Sequence, residues 1–415
     1  MKIAIIGGGM AGLGAAYELS KGEHAVTIFE GKDILGGLAS SYAVNGVALE
    51  NFYHHLFPTY RDFLAVAKEL HIENKIYFRK VMVGNFCNGH LYSFAGPLDL
   101  IRFSPISIIG RIRTGFFMLY LKLKRNWHSF ERVTAVAWMR SRFGESAYHV
   151  LWGRLLESKF ANRAKYIGMV WMWAKIFERP SRLGYINGGF STFISALENR
   201  LRERGVYIRL GAPAPSITEL RRDGYDAIIV AAPQATLLRL ASDFFPTDYV
   251  AKINALEYIA VVCAVVVLKK HLTEYYWINV LEEDSPFVGV IEQTNLVRED
   301  TYHGLHPVYL TRYVAADDPF YKLSDEDVQK SFIAYLKHIR SDFDESWIEE
   351  FRIFRAPYAQ PVVPSGYGEL RPSFRTPVAD IWWVSMAHTY PWDRGTGHSF
   401  RLGRDLAQEL LAAQK

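Results

Sequence analysis

The chain has 415 residues, which is too long for one ordinary hydrophobic core and suits two domains or one domain interrupted by another. Half of the residues are hydrophobic and 22% are charged, a composition that excludes an intrinsically disordered protein. The two cysteines, Cys87 and Cys263, exclude a disulfide framework, and no Cys/His spacing predicts a metal site. The net charge of +5 comes without a basic groove motif, so we expect no nucleic-acid partner.

The apolar runs of the sequence do not predict export or a membrane span. The first run is interrupted by Gly7 to Gly9 and has no cleavage-like site, so we expect no secretory signal. The longest run, residues 259–268, is far shorter than the roughly 20 residues of a membrane-spanning helix. We therefore expect a cytoplasmic protein.

The chain begins with a βαβ pattern. Residues 2–6 and 25–30 are short apolar runs that predict buried strands, and residues 10–21 between them have helical spacing. Residues 61–182 are predicted to be mainly helical, with the clearest helices at 59–70, 108–124, 133–143 and 167–177.

After the mainly helical segment, the sequence predicts strands as well as helices. Residues 191–204 predict a helix, and 206–210 and 225–231 predict strands. β-Branched and aromatic residues at 258–269, 307–314 and 350–356 predict another sheet, with a helix at 325–340 beside it. A strand at 381–386 and a helix at 400–413 again have the pattern of the βαβ unit at the start of the chain. We therefore predict a nucleotide domain made of 1–60, 183–250 and 375–415, and a substrate domain made of 61–182 and 251–374.

Residues 102–132 combine seven basic residues with many apolar ones and a single acid, Glu131. A basic amphipathic segment of this kind can make peripheral contact with an anionic membrane or line the mouth of a substrate channel. The alternative is a helix whose apolar face packs into its own domain while its basic face is solvated.

The turn GGGMAG carries the first chemical signal, because it lies between a predicted strand and a predicted helix. In a dinucleotide fingerprint the first glycine permits the tight turn, the second lets the backbone approach the pyrophosphate, and the third lets the helix pack on the strand. The helix N-terminus then faces the phosphates. The predicted cofactor-binding residues here are Gly7, Gly9, Met10, Ala11 and Gly12.

Glu30 ends the second strand, where an acid accepts hydrogen bonds from ribose hydroxyls and disfavours a 2′-phosphate. The LGGLAS segment at 35–40 then resembles the LGGxxxS element of the FAD family that includes amine oxidases, protoporphyrinogen oxidase, phytoene desaturases and UDP-galactopyranose mutase. The resemblance implies FAD as the cofactor and an α/β fold, with a Rossmann-like FAD-binding domain of GR2 type and an interleaved α+β substrate domain. It also implies cofactor contacts at Gly36, Gly37, Leu38, Ala39 and Ser40.

Later segments carry the same resemblance. Residues 188–210 and 225–233 are similar to the family's adenine-side helix and strands, which implies a cofactor contact at Ala232. Residues 385–407 resemble its C-terminal flavin motif, which implies that Asp393 binds a ribitol hydroxyl while Gly395 and Thr396 present backbone N–H groups to the flavin. Most members carry the acid just after the strand, whereas here it comes several residues later, in YPWDRG.

The predicted catalytic residues lie near the expected flavin face. His54 and His55 follow the second glycine turn and can supply a proton donor or a hydrogen-bond partner. Arg312 and Tyr358 are the further catalytic candidates, and Lys159 and Gln360 are weaker ones, since a surface or interface role suits each of them as well.

Three functions remain open from the sequence. The first is an FAD-dependent oxidoreductase that removes a hydride equivalent from a C–N or C–C bond of a small to medium, apolar or amphiphilic substrate. The second is a flavin-dependent mutase acting on a nucleotide sugar, for which Arg312, Arg352, Arg355 and Tyr358 could supply a diphosphate site. The third is a flavin-free binding protein of the GDI type. The sequence does not indicate an oligomeric state.

Overall fold

The computed structural model describes residues 1–414. Its strands are β1 (Lys2–Ile6), β2 (Ala25–Phe29), β3 (Ser41–Val44), β4 (Val47–Glu50), β5 (Ile76–Arg79), β6 (Val83–Cys87), β7 (His90–Ser93), β8 (Leu183–Ile186), β9 (Tyr207–Arg209), β10 (Ala227–Val230), β11 (Tyr258–Leu268), β12 (Trp277–Val280), β13 (Gly289–Glu292), β14 (His306–Val314), β15 (Ile348–Pro361) and β16 (Ile381–Trp383).

The helices of the described residues are α1 (Met10–Leu19), α2 (Arg61–Glu69), α3 (Pro97–Arg102), α4 (Ile108–Leu123), α5 (Ala135–Phe143), α6 (Glu145–Ala147), α7 (Arg154–Phe160), α8 (Met169–Glu178), α9 (Phe190–Glu203), α10 (Ile217–Arg222), α11 (Gln234–Ala241), α12 (Thr247–Asn254), α13 (Asp325–Ile339), α14 (Tyr367–Leu370) and α15 (Thr396–Ala413). A π-helical stretch, Tyr148–Gly153, joins α6 to α7. Within residues 1–414, none of the helices combines the length and hydrophobicity that a bilayer crossing requires.

The first sheet is parallel and has the strand order β16-β10-β1-β2-β9. Its strands come from three separated parts of the chain, and their apolar runs are buried, as a parallel sheet covered on both faces requires. This arrangement confirms the predicted Rossmann-like α/β architecture.

Two glycine contacts hold the C-terminal helix α15 against α1. A Cβ atom added at Gly14 would lie 2.1 Å from the Phe400 carbonyl oxygen, and one added at Gly403 would lie 1.8 Å from the Ala11 carbonyl oxygen. Only glycine permits backbones to approach so closely. The end of the chain is thereby brought to the first glycine turn.

The second sheet has the order β15-β11-β14-β13-β12-β6-β7. Strands β6 and β7 lie within residues 61–182, so the expectation that this part is mainly helical missed their contribution to the sheet. They form a hairpin whose turn residues, Asn88 and Gly89, have φ angles of +52° and +70°. An Asn-Gly turn of this kind matches the right-handed twist of paired strands, and the sequence does contain that signal.

The two faces of the second sheet have different neighbours. Tyr309 and Tyr313 of β14 belong to the main core, whereas Leu310 belongs to a second core that includes Phe332 and Leu336 of α13. Because side chains alternate along a strand, Arg312 points to the α13 side. Only the face that carries Tyr309 and Tyr313 borders the candidate site.

Candidate functional site

The first glycine turn has the geometry of a dinucleotide fingerprint. Gly7 has a φ of +112°, and a Cβ atom there would lie 2.5 Å from the Ala231 carbonyl oxygen. A Cβ atom on Gly12 would lie 1.9 Å from the Gly7 carbonyl oxygen. Both positions therefore require glycine, for the turn itself and for close packing of α1 on it.

Gly9 differs from these two glycines because the space beside it is open. A Cβ atom there would meet nothing nearer than the Gly37 Cα atom, at 3.9 Å. Gly9 also precedes α1 without a side-chain cap, which leaves the first N–H groups of the helix, from Met10 and Ala11 onward, for another acceptor. The turn therefore demands glycine at Gly9 only if something outside the protein approaches it.

The second glycine turn packs directly on the first. The Gly36 N–H donates to the Gly8 carbonyl oxygen at 2.9 Å, and Gly36 and Gly37 have φ angles of +109° and +60°. Leu38 and Ala39 continue in a single 3₁₀ turn, after which the Ser40 hydroxyl accepts a hydrogen bond from Asn51 Nδ2 at 3.3 Å. The two turns together form one glycine-rich surface.

Glu30 lies where the fingerprint requires an acid. Its carboxylate accepts hydrogen bonds from the Gly8 N–H at 2.7 Å and from the Lys32 N–H at 2.9 Å, which fix its orientation beside the first turn. Each carboxylate oxygen keeps a further acceptor position for a ribose hydroxyl. At Ala232, after β10, the carbonyl oxygen is already used by the Trp383 indole N–H at 2.9 Å.

The C-terminal turn, residues 392–396, connects to α8. The Asp393 carboxylate accepts a hydrogen bond from Trp171 Nε1 at 2.9 Å and pairs with Lys175 Nζ at 3.0 Å. Burial acts to raise the pKa of Asp393, but the charges of Lys175, Lys159 and Arg394 outweigh it and hold that pKa well below its usual range. Asp393 is therefore an anion anchored to the helical part of the chain.

At the start of α15, one polar atom of the described residues lacks a partner. Thr396 is buried and its hydroxyl makes no hydrogen bond, and no side chain caps the N-terminus that Gly395 begins. Tyr60 packs tightly over this turn, because a Cβ atom on Gly395 or on Gly397 would lie 2.3 Å from its side chain. A buried hydroxyl and unpaired N–H groups suit an acceptor such as the carbonyl edge of a flavin.

Sequence comparison identifies the family. The sequence model of the family described as flavin-containing amine oxidoreductases matches residues 10–411. The chain belongs to this family. It is a family of FAD-dependent oxidoreductases, so membership confirms FAD as the cofactor class and sets aside the flavin-free alternative.

Individual relatives are distant. A Mycobacterium tuberculosis protein named flavin-containing monoamine oxidase AofH is 32% identical over 114 residues, which cover 28% of this chain and 25% of that protein. The match thus spans only about a quarter of the relative's length.

Among solved structures, one named as a protoporphyrinogen oxidase from Exiguobacterium has a TM-score of 0.78 at 16% identity, covering 100% of this chain and 99% of that one. Reduced UDP-galactopyranose mutase has a TM-score of 0.74 at 17% identity, covering 99% and 96%. These structural likenesses show a shared fold.

FAD fits the residues that this family member presents. The open space beside Gly9 suits a pyrophosphate, Glu30 would hold a ribose, and the unpartnered Thr396 hydroxyl with the α15 N-terminus would hold the flavin edge. Asp393 has both carboxylate oxygens engaged by α8, yet a carboxylate can accept further hydrogen bonds. Its contact with a ribitol hydroxyl stays a prediction.

His54 and His55 are both partly buried and both neutral. Burial, helped by Arg394, lowers the pKa of His54 to about 4; burial, helped by His54, Lys175 and Arg179, lowers the pKa of His55 to about 3. The His54 Nδ1–H donates to the Phe52 carbonyl oxygen at 2.6 Å, so Nε2 of the neutral ring carries a lone pair. The catalytic role of His54 and His55 beside the flavin stays a prediction.

Arg312 and Tyr358 do not join these groups. Arg312 points to the opposite side of the second sheet, donates to the Pro286 carbonyl oxygen and lies 4.1 Å from the Phe320 ring centroid. Tyr358 packs edge-on against Tyr258, with 5.5 Å between ring centroids. We correct the assignment of Arg312, because the strand alternation that places Tyr313 at the site turns its neighbour Arg312 away. The catalytic role of Tyr358 stays a prediction.

Strands β14 and β15 contribute different groups to the site. The Tyr313 hydroxyl accepts a hydrogen bond from Arg394 at 2.5 Å and lies 2.6 Å from the Tyr53 hydroxyl. Arg394 also donates to the Ala359 carbonyl oxygen, so β15 takes part through its backbone. This chain of contacts connects the C-terminal turn to the second sheet and to the segment that bears the histidines.

The charges of Lys159, Lys175 and Arg394 act on Asp393 in the C-terminal turn, and those of Lys175 and Arg179 act on His55. We call these four residues, Lys159, Lys175, Arg179 and Arg394, the cationic cluster. Burial, then the charge of Lys175, lowers the pKa of Lys159 well below its usual value. Burial also lowers the pKa of Arg179, although the surface of this side chain is exposed.

Sequence reasoning missed most of this cluster. It named Lys159 as a weak candidate and passed over the polar stripe of α8, where Trp171 and Lys175 are followed by Arg179 at intervals of four residues. On a largely buried helix this spacing places all three on one face, and a charged stripe on such a helix is an informative signal.

The structure also brings together His271, Glu292 and His306, whose ligand atoms lie within 4.8 Å of one another. The sequence contains no metal motif at these positions. The buried Glu292 carboxylate accepts hydrogen bonds from the Thr273 N–H at 2.7 Å and from the His271 ring at 2.7 Å. These donors account for a buried carboxylate as part of a hydrogen-bonded network.

Proposed function

We propose that this protein uses FAD to oxidise or desaturate a small to medium amphiphilic substrate that carries an acidic group, removing a hydride equivalent from a C–N or C–C bond. One observation carries the proposal: Lys159, Lys175 and Arg394 lie close enough to the Asp393 carboxylate to lower its pKa, and the Trp171 and Tyr313 rings stand beside Lys159. Net positive charge attracts an acidic group, while aromatic surface binds an apolar body.

Lys159 has the surroundings of a proton acceptor. Its Nζ atom lies 5.1 Å from the Trp171 ring centroid and 5.0 Å from the Tyr313 ring centroid, and burial, then the charge of Lys175, lowers its pKa well below the usual value. A neutral lysine can take a proton from a substrate C–H, N–H or O–H group as hydride leaves. When bound, FAD supplies the hydride acceptor.

Other residues of the cluster would bind and orient the substrate. Lys175 is tied to Asp393, whereas among the described residues no carboxylate pairs with the exposed Arg179 guanidinium, which is therefore available for a substrate anion. The hydrogen-bonded pair of Tyr53 and Tyr313 presents two hydroxyls whose positions Arg394 stabilises. Together these groups can hold an acidic end while the remainder of the substrate lies against the rings.

The test begins with the absorbance spectrum of the purified protein, followed by anaerobic bleaching of the flavin. Candidate substrates are offered as pairs with the same carbon skeleton, one bearing a carboxylate and the other an amine. We expect faster bleaching with the carboxylate, and an Arg179→Met variant to raise its KM by about tenfold or more. Lys337→Met, at an exposed position of α13, is the matched control. Bleaching by amines alone would contradict the proposal.

The mutase alternative retains one argument. Of the arginines named for it, Arg352 pairs with Glu350, Arg355 pairs with Asp325, and Arg312 faces α13, so these three do not converge. The cationic cluster could nevertheless bind a diphosphate. Titration of the reduced protein with UDP-galactopyranose distinguishes the two functions: conversion of the sugar without net flavin oxidation favours the mutase.

A further inference from the structure

Helices α3 and α4 present a set of large apolar side chains to the outside of the protein. We call this set the apolar face; each member has between 58% and 72% of its surface exposed. Its members are Leu98, Ile101, Ile108, Ile109, Ile112, Phe116, Leu119 and Leu123. Single exposed apolar residues are ordinary, but a contiguous group of this size marks an interaction surface.

The apolar face is one stripe of a helix and does not belong to the protein's own core. Ile108, Ile112, Phe116, Leu119 and Leu123 recur at intervals of three or four residues, which places them on one side of α4. The opposite side of α4 is buried through Thr114 and Leu121. The alternative in which residues 102–132 pack into their own domain holds for Phe103, Leu121 and Phe130, which are buried, but is wrong for this stripe of α4.

Positive charge flanks the apolar face. The basic residues of this region are Arg102, Arg111, Arg113, Lys122, Lys124 and Arg125. Among the described side chains none of these six forms an ion pair with a carboxylate; Arg113, for example, donates to the Ser141 and Arg142 carbonyl oxygens. Lys122 is engaged by carbonyl oxygens at the end of α8, whereas the charges of the other five remain available to an anionic partner.

We propose that α3 and α4 dock on an anionic lipid bilayer, with the apolar face inserted at the level of the acyl-chain boundary and the flanking cations at the lipid headgroups. Apolar side chains gain from burial in the bilayer, and each basic residue gains from the negative surface potential. A second copy of the chain is a poorer occupant. A two-fold interface would bring the same cations of both copies together, and the one carboxylate of α3 and α4, that of Asp99, is engaged by the Ala95 and Gly96 N–H groups.

The proposed docking surface adjoins the helix that carries the cationic cluster. Lys122 Nζ donates to the Phe177 carbonyl oxygen at 2.9 Å and to the Arg179 carbonyl oxygen at 2.5 Å, and so holds the C-terminal end of α8. Docking would therefore place α8, with Lys175 and Arg179, next to the bilayer. The docking itself does not depend on the proposed oxidation.

Vesicle flotation of the full-length, flavin-loaded protein tests the proposal. The vesicles are phosphatidylcholine alone or with about one third phosphatidylserine. We expect the wild type to float with the anionic vesicles, and the double variant Ile112→Glu/Phe116→Glu to bind at least about tenfold more weakly. Tyr207→Glu, at an equally exposed aromatic position on β9, is the matched control and should bind like the wild type.

Two further measurements make the outcome decisive. The flavin absorbance and the thermal midpoint of each variant should match the wild type, because the substituted side chains are exposed. Weaker flotation in high salt supports the role of the basic residues. The proposal is overturned if the double variant floats like the wild type. It is also overturned if the wild type remains in the unbound fraction and does not float with anionic vesicles. A dimer that the double variant converts to a monomer, without vesicle binding, would assign the face to a second copy instead.

Discussion

Lys175 Nζ lies 3.0 Å from Asp393 Oδ2, and this ion pair joins α8 to the turn that precedes α15. The second oxygen of the same carboxylate accepts a hydrogen bond from Trp171. The acid that the sequence proposes as a flavin ligand is therefore also the connection between the helical insertion and the C-terminal turn. Changes at Asp393 should affect folding stability and flavin binding together.

Replacement of Asp393 by alanine should lower the free energy of unfolding of the flavin-free protein by about 1–3 kcal/mol, because the Trp171 N–H loses its acceptor. Asp393→Asn should cost less, since an amide oxygen can still accept from Trp171. Chemical denaturation measures both values, and flavin fluorescence measures the accompanying loss of FAD affinity. Asp300→Ala removes an exposed ion pair with Arg298 and should change stability much less than Asp393→Ala, because solvent screens an exposed pair. Equal effects at Asp393 and Asp300 would argue against an anchoring role.

Gly9 and Gly12 should respond differently to alanine. Gly12→Ala forces a methyl group onto the Gly7 carbonyl and should destabilise the flavin-free fold by about 3 kcal/mol or more. Gly9 has φ −73° and open space, so Gly9→Ala should change that stability by no more than about 0.5 kcal/mol.

Gly9→Ala should still weaken FAD binding by at least about tenfold, because the methyl group would occupy the space that the pyrophosphate approaches. Thermal unfolding of the flavin-free variants and equilibrium dialysis with FAD separate the two effects. If Gly9→Ala retained FAD like the wild type, the first turn would not be the pyrophosphate site. Gly31→Ala, which meets no atom within 4 Å, controls for the loss of a glycine.

Stability should fall as the pH drops from about 6.5 to about 4, in part because of His388. Its ring is buried, accepts from the Ser385 N–H at 3.1 Å and stacks on Phe374. Burial lowers the pKa of His388 to about 4, below the ordinary 6.5 of an unfolded chain. The unfolded state therefore binds the proton first as the pH falls. This stabilisation is complete above the unfolded pKa and is lost between the two values, by on the order of 3 kcal/mol.

A His388→Gln variant isolates that contribution. The stability difference between wild type and variant should be largest near pH 7 and should shrink by pH 4, since only the wild type loses stability through this ring. Urea denaturation at several pH values provides the measurement. A difference that stays constant across the range would show that His388 titrates normally.

The protein should be more stable with glycine than with alanine at position 161. It follows α7, next to Phe160, with φ +50° and ψ −131°, a conformation that an L-residue with a Cβ atom rarely adopts. Ala161→Gly should raise the free energy of unfolding by about 1 kcal/mol after the greater flexibility of the unfolded chain is subtracted. Ala164→Gly, in the following 3₁₀ turn, is the control and should destabilise the protein. Calorimetric thermal midpoints of both variants test this.

Local patterns predicted the flavin-binding elements because their chemistry is local. Gly7, Gly9 and Gly12 and the acid at Glu30 lie within one βαβ unit, so their spacing alone indicates a dinucleotide site. The amphipathic pattern of residues 108–124 likewise predicted α4, which spans Ile108–Leu123. The hairpin of β6 and β7 was missed although its Asn-Gly turn was readable, because the helical spacing around it dominated the interpretation.

By itself the sequence determined the βαβ unit and the family resemblance. Only the tertiary structure decided that Lys159, Lys175 and Asp393 meet, that Arg312 faces away from Tyr313, and that the apolar side of α4 is the exposed one. The physical reason is that the first features depend on bonds and turns within a few residues. The contacts and orientations that only the structure decided depend on how separated segments pack and on which face of a strand or helix is covered. No short sequence pattern encodes which face that is.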